Sequence, residues 1–163
     1  MDDTALRGLE MDDLEAFHAM LEGEGGIAHD RERDLPPMSV DDCERMLRSL
    51  AGGDGLALTS GDELRGVLWT KDFSRRHSRA RMVLVHDDAT TSIIASWATL
   101  AWEHLRDAYN LHRLTSIVPT GSVLEAGLRE AGFVTEGTLV GDHFHDGRFR
   151  DSAIMSIVRG EWP

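Results

Sequence analysis

Two long β-prone runs, Val134–His145 and Arg148–Arg159, flank Asp146-Gly147, the strongest hairpin signal in the chain. Asp-Gly suits a two-residue turn because both central positions can take positive φ, which twists the strands the way a sheet requires. A hairpin of this length needs further strands beside it to be stable, and the sequence supplies them. Ala5–Leu9 is a short first strand, and Leu56–Thr59 and Leu64–Thr70 form a second hairpin around Ser60-Gly61-Asp62. Arg81–His86 and Leu114–Val118 are β-rich apolar runs, the latter ended by Pro119-Thr120-Gly121.

Helices alternate with these strands. Asp12 and Asp13 precede Leu14, Phe17, Met20 and Leu21 at helical spacing, which predicts a helix over 12–22. Ser39 is the expected N-cap of a helix over 40–51, with Asp42 as a short capping-box analogue. Thr91–Tyr109 carries Ile94, Trp97, Ala98, Ala101, Trp102 and Leu105 on one apolar face, and both tryptophans are expected in the core. Ser122 caps a shorter helix reaching Ala131, and Gly132 stands where a helix-terminating glycine belongs. Gly23–Pro37 reads as a long loop and Lys71–Arg79 as a basic loop. The order β-α-α-β-β-β-α-β-α-β-β predicts one α/β (α+β) domain over residues 1–163. Its sheet is single, mixed and largely antiparallel, and flanked by helices.

Within that order, Arg81–Trp97 has the form of an anion site. A strand, the short loop His86–Ser92 and a helix N-terminus follow one another, so unpaired N–H groups and the positive helix end point the same way. Loops that grip a diphosphate commonly use glycines, and this one has none.

Charge narrows the partners. Residues 1–64 hold 17 acids against 5 arginines, whereas residues 65–163 hold 12 acids and 12 bases, so the net −12 lies in the first part. That balance argues against nucleic acid, which needs clustered Lys/Arg. The excess is either a solvated acidic surface or, if it lines a cleft, an environment for a small cationic amine. No apolar run is long enough to span a membrane, and the acidic N-terminus has no signal-peptide core. The single Cys43 excludes an internal disulfide, is expected as buried filler and suits a reducing cytoplasm.

The C-terminal motifs carry a resemblance. Ala131-Gly132-Phe133-Val134-Thr135-Glu136-Gly137-Thr138-Leu139 reads like the "lGF-x-x-EG-x-L" of the GNAT superfamily of acyl-CoA-dependent N-acyltransferases. Asp146-Gly147-Arg148-Phe149-Arg150-Asp151 with Ala153-Ile154-Met155 resembles its "dG-x-x-x-D-x-x-x-M", and Leu111-His112-Arg113-Leu114 resembles the stretch that opens its fifth strand. The chain looks most like the subgroup of ribosomal-protein and spermidine acetyltransferases. The resemblance implies an acyltransferase using acetyl-CoA or another acyl-CoA, with pantetheine in the gap where the fourth strand splays from the fifth. Val83, Val85, Thr90, Thr91, Ser92, Ile93, Ile94 and Ala95 are the implied cofactor-binding residues. The loop is degenerate: Thr90 stands for the family's Arg/Gln, Ile93 for a small residue, and only Ala95 fits. Gly121 stands for the Asn after the fifth strand, Leu128 for the Tyr that protonates the departing thiolate, and Arg81 for a Glu that serves as base.

Histidine is the remaining source of acid–base chemistry. His143 and His145 alternate on one strand and so share a face, and His86 ends the fourth strand. Neutral imidazole is the general base that deprotonating an amine requires. Against this stands a solvated histidine pair at an exposed hairpin end. A metal site would need a third ligand, and none is expected. The expected activity is acyl transfer from a CoA or carrier-protein thioester to a small amine, with segment 23–38 on the acceptor side. The alternative is acid–base chemistry on a small metabolite in the same cleft, as a lyase, isomerase or cyclase. The oligomeric state stays open, with a homodimer as one option.

Overall fold

The computed structural model describes residues 3–22, 39–145 and 147–160. The strands are β1 (Thr4–Gly8), β2 (Leu56–Ser60), β3 (Glu63–Ser74), β4 (Arg79–His86), β5 (Arg113–Pro119), β6 (Val134–His145) and β7 (Arg148–Val158). The helices are α1 (Leu14–Glu22), entered through the 3-10 turn Met11–Asp13, α2 (Val40–Ala51), α3 (Thr91–Tyr109) and α4 (Val123–Glu130). The strands form one seven-stranded sheet in the order β1-β2-β3-β4-β5-β7-β6. Pairing is antiparallel for β1–β2, β2–β3, β5–β7 and β6–β7 and parallel for β4–β5, as a mixed, largely antiparallel sheet requires.

The chain divides into two compact units, Met1–Thr70 with Val83–Ala89 and Lys71–Met82 with Thr90–Pro163. In the first, Phe17, Cys43, Leu47, Ala57 and Val67 are fully buried, joined by Trp69, Val83 and Val85. The entry to α1 is fixed by Asp13, which takes two hydrogen bonds from Arg7 (2.8 and 2.6 Å) and one from the Glu10 N–H (2.9 Å). The Arg7 guanidinium accordingly holds the Asp13 carboxyl below its ordinary range. Ser39 caps α2 by accepting the Asp42 N–H at 3.1 Å, while its own hydroxyl donates to the Asp42 carboxylate at 2.7 Å. Cys43 is the expected filler: burial pushes its thiol up, away from the reactive thiolate.

The second unit packs α3 on α4. Trp97 is fully buried and Trp102 nearly so, as the apolar stripe predicts. At Gly127 the two helices approach closely, since a Cβ there would lie 2.5 Å from Ile94 Cγ2 and 3.0 Å from the Thr91 carbonyl. α3 ends at Asn110 in the left-handed region (φ 51°), and α4 is capped by Ser122 accepting the Glu125 N–H at 3.2 Å.

One sequence expectation needs correction. Lys71–Ser74 is not part of a basic loop but the end of β3, and the turn is confined to Arg75–Ser78. Two contacts distant in sequence hold it there: Arg81 Nε reaches Asp72 Oδ2 at 3.0 Å, and Phe73 meets Tyr109 edge-on at 5.6 Å. Local polarity carries no trace of either. Segment 23–38, assigned above to the acceptor side, and Asp146 of the turn lie outside the described residues. Among the described residues no helix is long and apolar enough to cross a membrane.

Candidate functional site

β4 and β5 pair only over Arg79–Arg81 and Arg113–Thr115. Where that pairing stops, the Ser116 hydroxyl donates to the Met82 carbonyl at 3.1 Å, so a buried side chain takes over from the backbone ladder. In the first unit, the β4 residues that follow are committed to packing. Val83 and Val85 are buried in the cluster with Phe17, Leu47 and Val67, so only their backbone is left to meet a ligand. His86 ends the strand 4% exposed, with its Nδ1 on the Asp87 carbonyl. Burial pushes its imidazole below the ordinary value, outweighing the opposing effects of the Asp87 carbonyl and of the Asp87 and Asp88 charges. Such a ring is neutral at pH 7 but poorly reached by a substrate. Asp87 is held by Arg65 Nε at 2.5 Å, which neutralises one of the two loop carboxylates. Asp88 is exposed.

In the second unit, Thr90 caps α3: its Oγ1 lies 3.4 Å from the Ile93 N–H and 3.1 Å from Ser92 Oγ. The Ile94 N–H is the first to close a helical bond, onto the Thr90 carbonyl at 3.0 Å. The N–H groups of Thr91 and Ser92 precede it and are left to the solvent side of the first turn, beside two exposed hydroxyl side chains. Ile94 and Ala95 are buried and therefore structural, whereas Ile93 is half-buried. A phosphate fits here against N–H and hydroxyl donors, though without the backbone-on-phosphate approach that glycines permit.

His143 and His145 lie on one face of β6, as alternation predicts. Cross-strand register sets His143 opposite Arg150, Phe144 opposite Phe149 and His145 opposite Arg148, so both histidines share their face with two arginines. His143 Nδ1 is 3.2 Å from the hydroxyl of the fully buried Ser152. Burial lowers the His143 imidazole below its ordinary value. Asp142 and Asp151 pull the other way, and His145 and Arg150 add to the depression. His143 is thus an imidazole favoured in its neutral form on a half-buried strand face, with Ser152, Arg148 and Arg150 as neighbours that the reading of the histidines alone had missed. The same strand alternation that pairs His143 with His145, carried across the two-residue turn, would have found both arginines. Among the described residues no three His, Cys, Asp or Glu side chains form a group that could hold a metal ion.

Outside the loop, the three positions at which the sequence departs from the family pattern have structural uses. Leu128 is 1% exposed and packs as core. Gly121 has φ +79° and its N–H donates to Glu125 Oε2 at 2.6 Å, closing the turn before α4. Arg81 pairs with Asp72.

No protein-family model matches the sequence, and no curated protein does. Solved structures do match. The spermidine N-acetyltransferase of Vibrio cholerae in complex with CoA and spermine superposes with a TM-score of 0.79 at 21% identity, covering 96% of this chain and 95% of that one. The ribosomal-protein-S5-alanine acetyltransferase of Vibrio fischeri gives 0.79 at 14% identity over 100% and 97%. A dodecameric structure of the Vibrio cholerae enzyme in an intermediate state gives 0.75 at 20% identity over 96% and 94%. The chain therefore has the GNAT fold over essentially its whole length. Nothing in these matches supports the lyase, isomerase or cyclase alternative.

Proposed function

We propose that this protein is an acyltransferase that moves an acyl group from an acyl-CoA thioester to the nitrogen of a small amine. One observation carries the reading above the rest: 96% of the chain superposes, at a TM-score of 0.79, on an enzyme solved with CoA and spermine. The short β4–β5 pairing and the free first turn of α3 are the local features that agree with it.

When bound, acyl-CoA supplies the activated acyl carbon; everything else falls to the chain. The N–H groups of Thr91 and Ser92, with the Thr90 and Ser92 hydroxyls, hold the diphosphate at the positive end of α3. Val83 and Val85 offer backbone groups alone. An aliphatic amine arrives protonated, with a pKa near that of lysine at about 10.4, and must lose a proton before it can attack. His143 takes that proton at Nε2, in the tautomer whose Nδ1–H donates to Ser152. His145 is its neighbour on the face, and the buried His86 is a supporting rather than a proton-transferring residue. Leu128 cannot donate a proton to the departing thiolate, so the chain relies on solvent for that step.

Calorimetry and native mass spectrometry with acetyl-CoA and longer acyl-CoAs test the reading, followed by thiol release in the presence of amines. Acyl-CoA binding with amine-dependent thiol release is expected. No binding at millimolar acyl-CoA overturns it.

A further inference from the structure

The face that carries His143 is cationic in a way that a polyamine acceptor would not call for. On β5 and β7, Leu114, Ser116, Val118, Ala153 and Met155 alternate to the covered side and are buried. Thr115, Ile117 and Ile154 alternate to the other, more open side. Register puts Ser152 opposite Leu139 and Arg150 opposite His143 on that open side, and it continues through Arg148 and His145 at the hairpin end. Phe144 and Phe149 pack edge-on at 5.6 Å on the opposite side, which keeps the two sets apart.

The arginines of this face differ in how they are used. Arg81 is neutralised by Asp72, and Arg113 by Glu136. Arg148 and Arg150 form no ion pair among the described residues, and Arg150 Nε is buried with no hydrogen-bond partner there. A buried guanidinium N–H without an acceptor is costly unless a ligand provides one. The nearest carboxylate in sequence, Asp151, is turned to the strand bulge, where its Oδ1 accepts the Gly141 N–H at 2.8 Å.

Resting on the acyl-transfer reading above, we propose that the acceptor is an amine that also bears an anionic group, a carboxylate or phosphate, within a few bonds of its nitrogen. The nitrogen meets His143 and the anion meets Arg150, supported by Arg148. Side chains directly opposite on paired strands start about 5 Å apart at Cβ, so one small molecule reaches both. Guanidinium binds carboxylate and phosphate in a two-pronged, charge-assisted fashion. A second ammonium group in the same place would face two guanidinium charges that form no ion pair among the described residues.

The test has two readouts. In acetyl-CoA-dependent thiol release, the free amino acids and O-phosphoethanolamine are compared with amino-acid amides and with spermine. In calorimetry without any acyl-CoA, the best anionic amine is compared with its amide. The kcat/KM ratio of acid to amide is expected at roughly 10- to 100-fold, falling to about 1 in Arg150→Gln and largely restored in Arg150→Lys. The binding preference should follow the same pattern. Amino acids outperforming O-phosphoethanolamine would identify the anion as carboxylate, the reverse as phosphate, and either supports the proposal. Spermine or the amides equalling the anionic amines, or an acid-to-amide ratio unmoved by Arg150→Gln, overturns it and leaves acyl transfer standing. Failure to bind acyl-CoA while the anion-selective amine binding persists overturns acyl transfer and leaves this site standing. Absence of both overturns both.

Discussion

His143 and His86 are both pushed toward neutrality by burial, yet they sit so differently that they predict different experiments. His143 has its Nδ1 at the Ser152 hydroxyl on a half-buried strand face. Replacing it with Asn should lower kcat by about 10²- to 10³-fold, in the range for losing a general base, with little change in melting temperature. The wild-type kcat/KM should rise with pH through a pKa below the ordinary 6.5 and be flat above pH 7, because the base works only when unprotonated; the Asn variant should lose that limb. His86 is 4% exposed and acts on stability instead. Its folded pKa is depressed, so the unfolded chain binds more protons between that value and about 6.5. Stability is therefore complete above about pH 6.5 and falls as pH drops through the folded pKa. Melting temperatures measured from pH 7.5 to 5 should show this decline, and His86→Gln should flatten it, leaving the smaller contribution of His143. A curve unchanged by His86→Gln would show that the buried ring is not what makes folding pH-dependent.

Among the elements, the α3–α4 contact is decided by one missing methyl group. Alanine in place of a helical glycine normally gains about 1 kcal/mol in propensity. At Gly127 the new Cβ would stand 2.5 Å from Ile94 Cγ2 and 2.7 Å from Ile94 Cβ, atoms close to the backbone that cannot swing aside. Overpacking of this kind costs about 1–3 kcal/mol, and at these distances the upper part of that range should win. Gly127→Ala is expected to destabilise by about 1–2 kcal/mol in urea unfolding. In an Ile94→Ala background the same substitution should cost less, giving a favourable coupling in the double-mutant cycle. Elements themselves were largely readable in advance. The helix over Thr91–Tyr109 and the strand Val134–His145 fall at the residues their periodicity and caps predict, because each is built from local preferences that agree with one another. Lys71–Ser74 was not readable, since it extends β3 alongside β4 past its apolar part, and its contacts with Arg81 and Tyr109 are tertiary. The arginine pair of the hairpin lay between these cases. It follows from alternation across a two-residue turn, but only the buried Arg150 Nε, without a partner among the described residues, points to a use.

For the whole molecule, charge is the property that acts at long range. The −12 excess is confined to residues 1–64, where 17 acids meet 5 arginines. Like charges so concentrated repel in the compact state, and salt screens them with a Debye length of about 10 Å at 0.1 M and 3 Å at 1 M. Raising NaCl from about 0.05 to 0.5 M should lift the melting temperature by roughly 2–4 °C, the shift expected for about 1 kcal/mol in a chain of this size. A melting temperature that falls with salt would instead mean that favourable ion pairs, such as Arg7–Asp13, outweigh the repulsion.

By itself the sequence determined the order of strands and helices, their caps and turns, the burial of Cys43, Trp97 and Trp102, and the kinship of its C-terminal motifs with one fold. All of these follow from contacts between residues close along the chain or from the period of a single element. Tertiary structure alone decided which charges are spent and which are left over. Arg65 is committed to Asp87, Arg81 to Asp72 and Arg113 to Glu136, while Arg150 pairs with no carboxylate among the described residues. Pairing of charges depends on which strands lie side by side and on which face each residue emerges. That is a property of the assembled sheet, and the proposal of an anion-bearing acceptor rests on it.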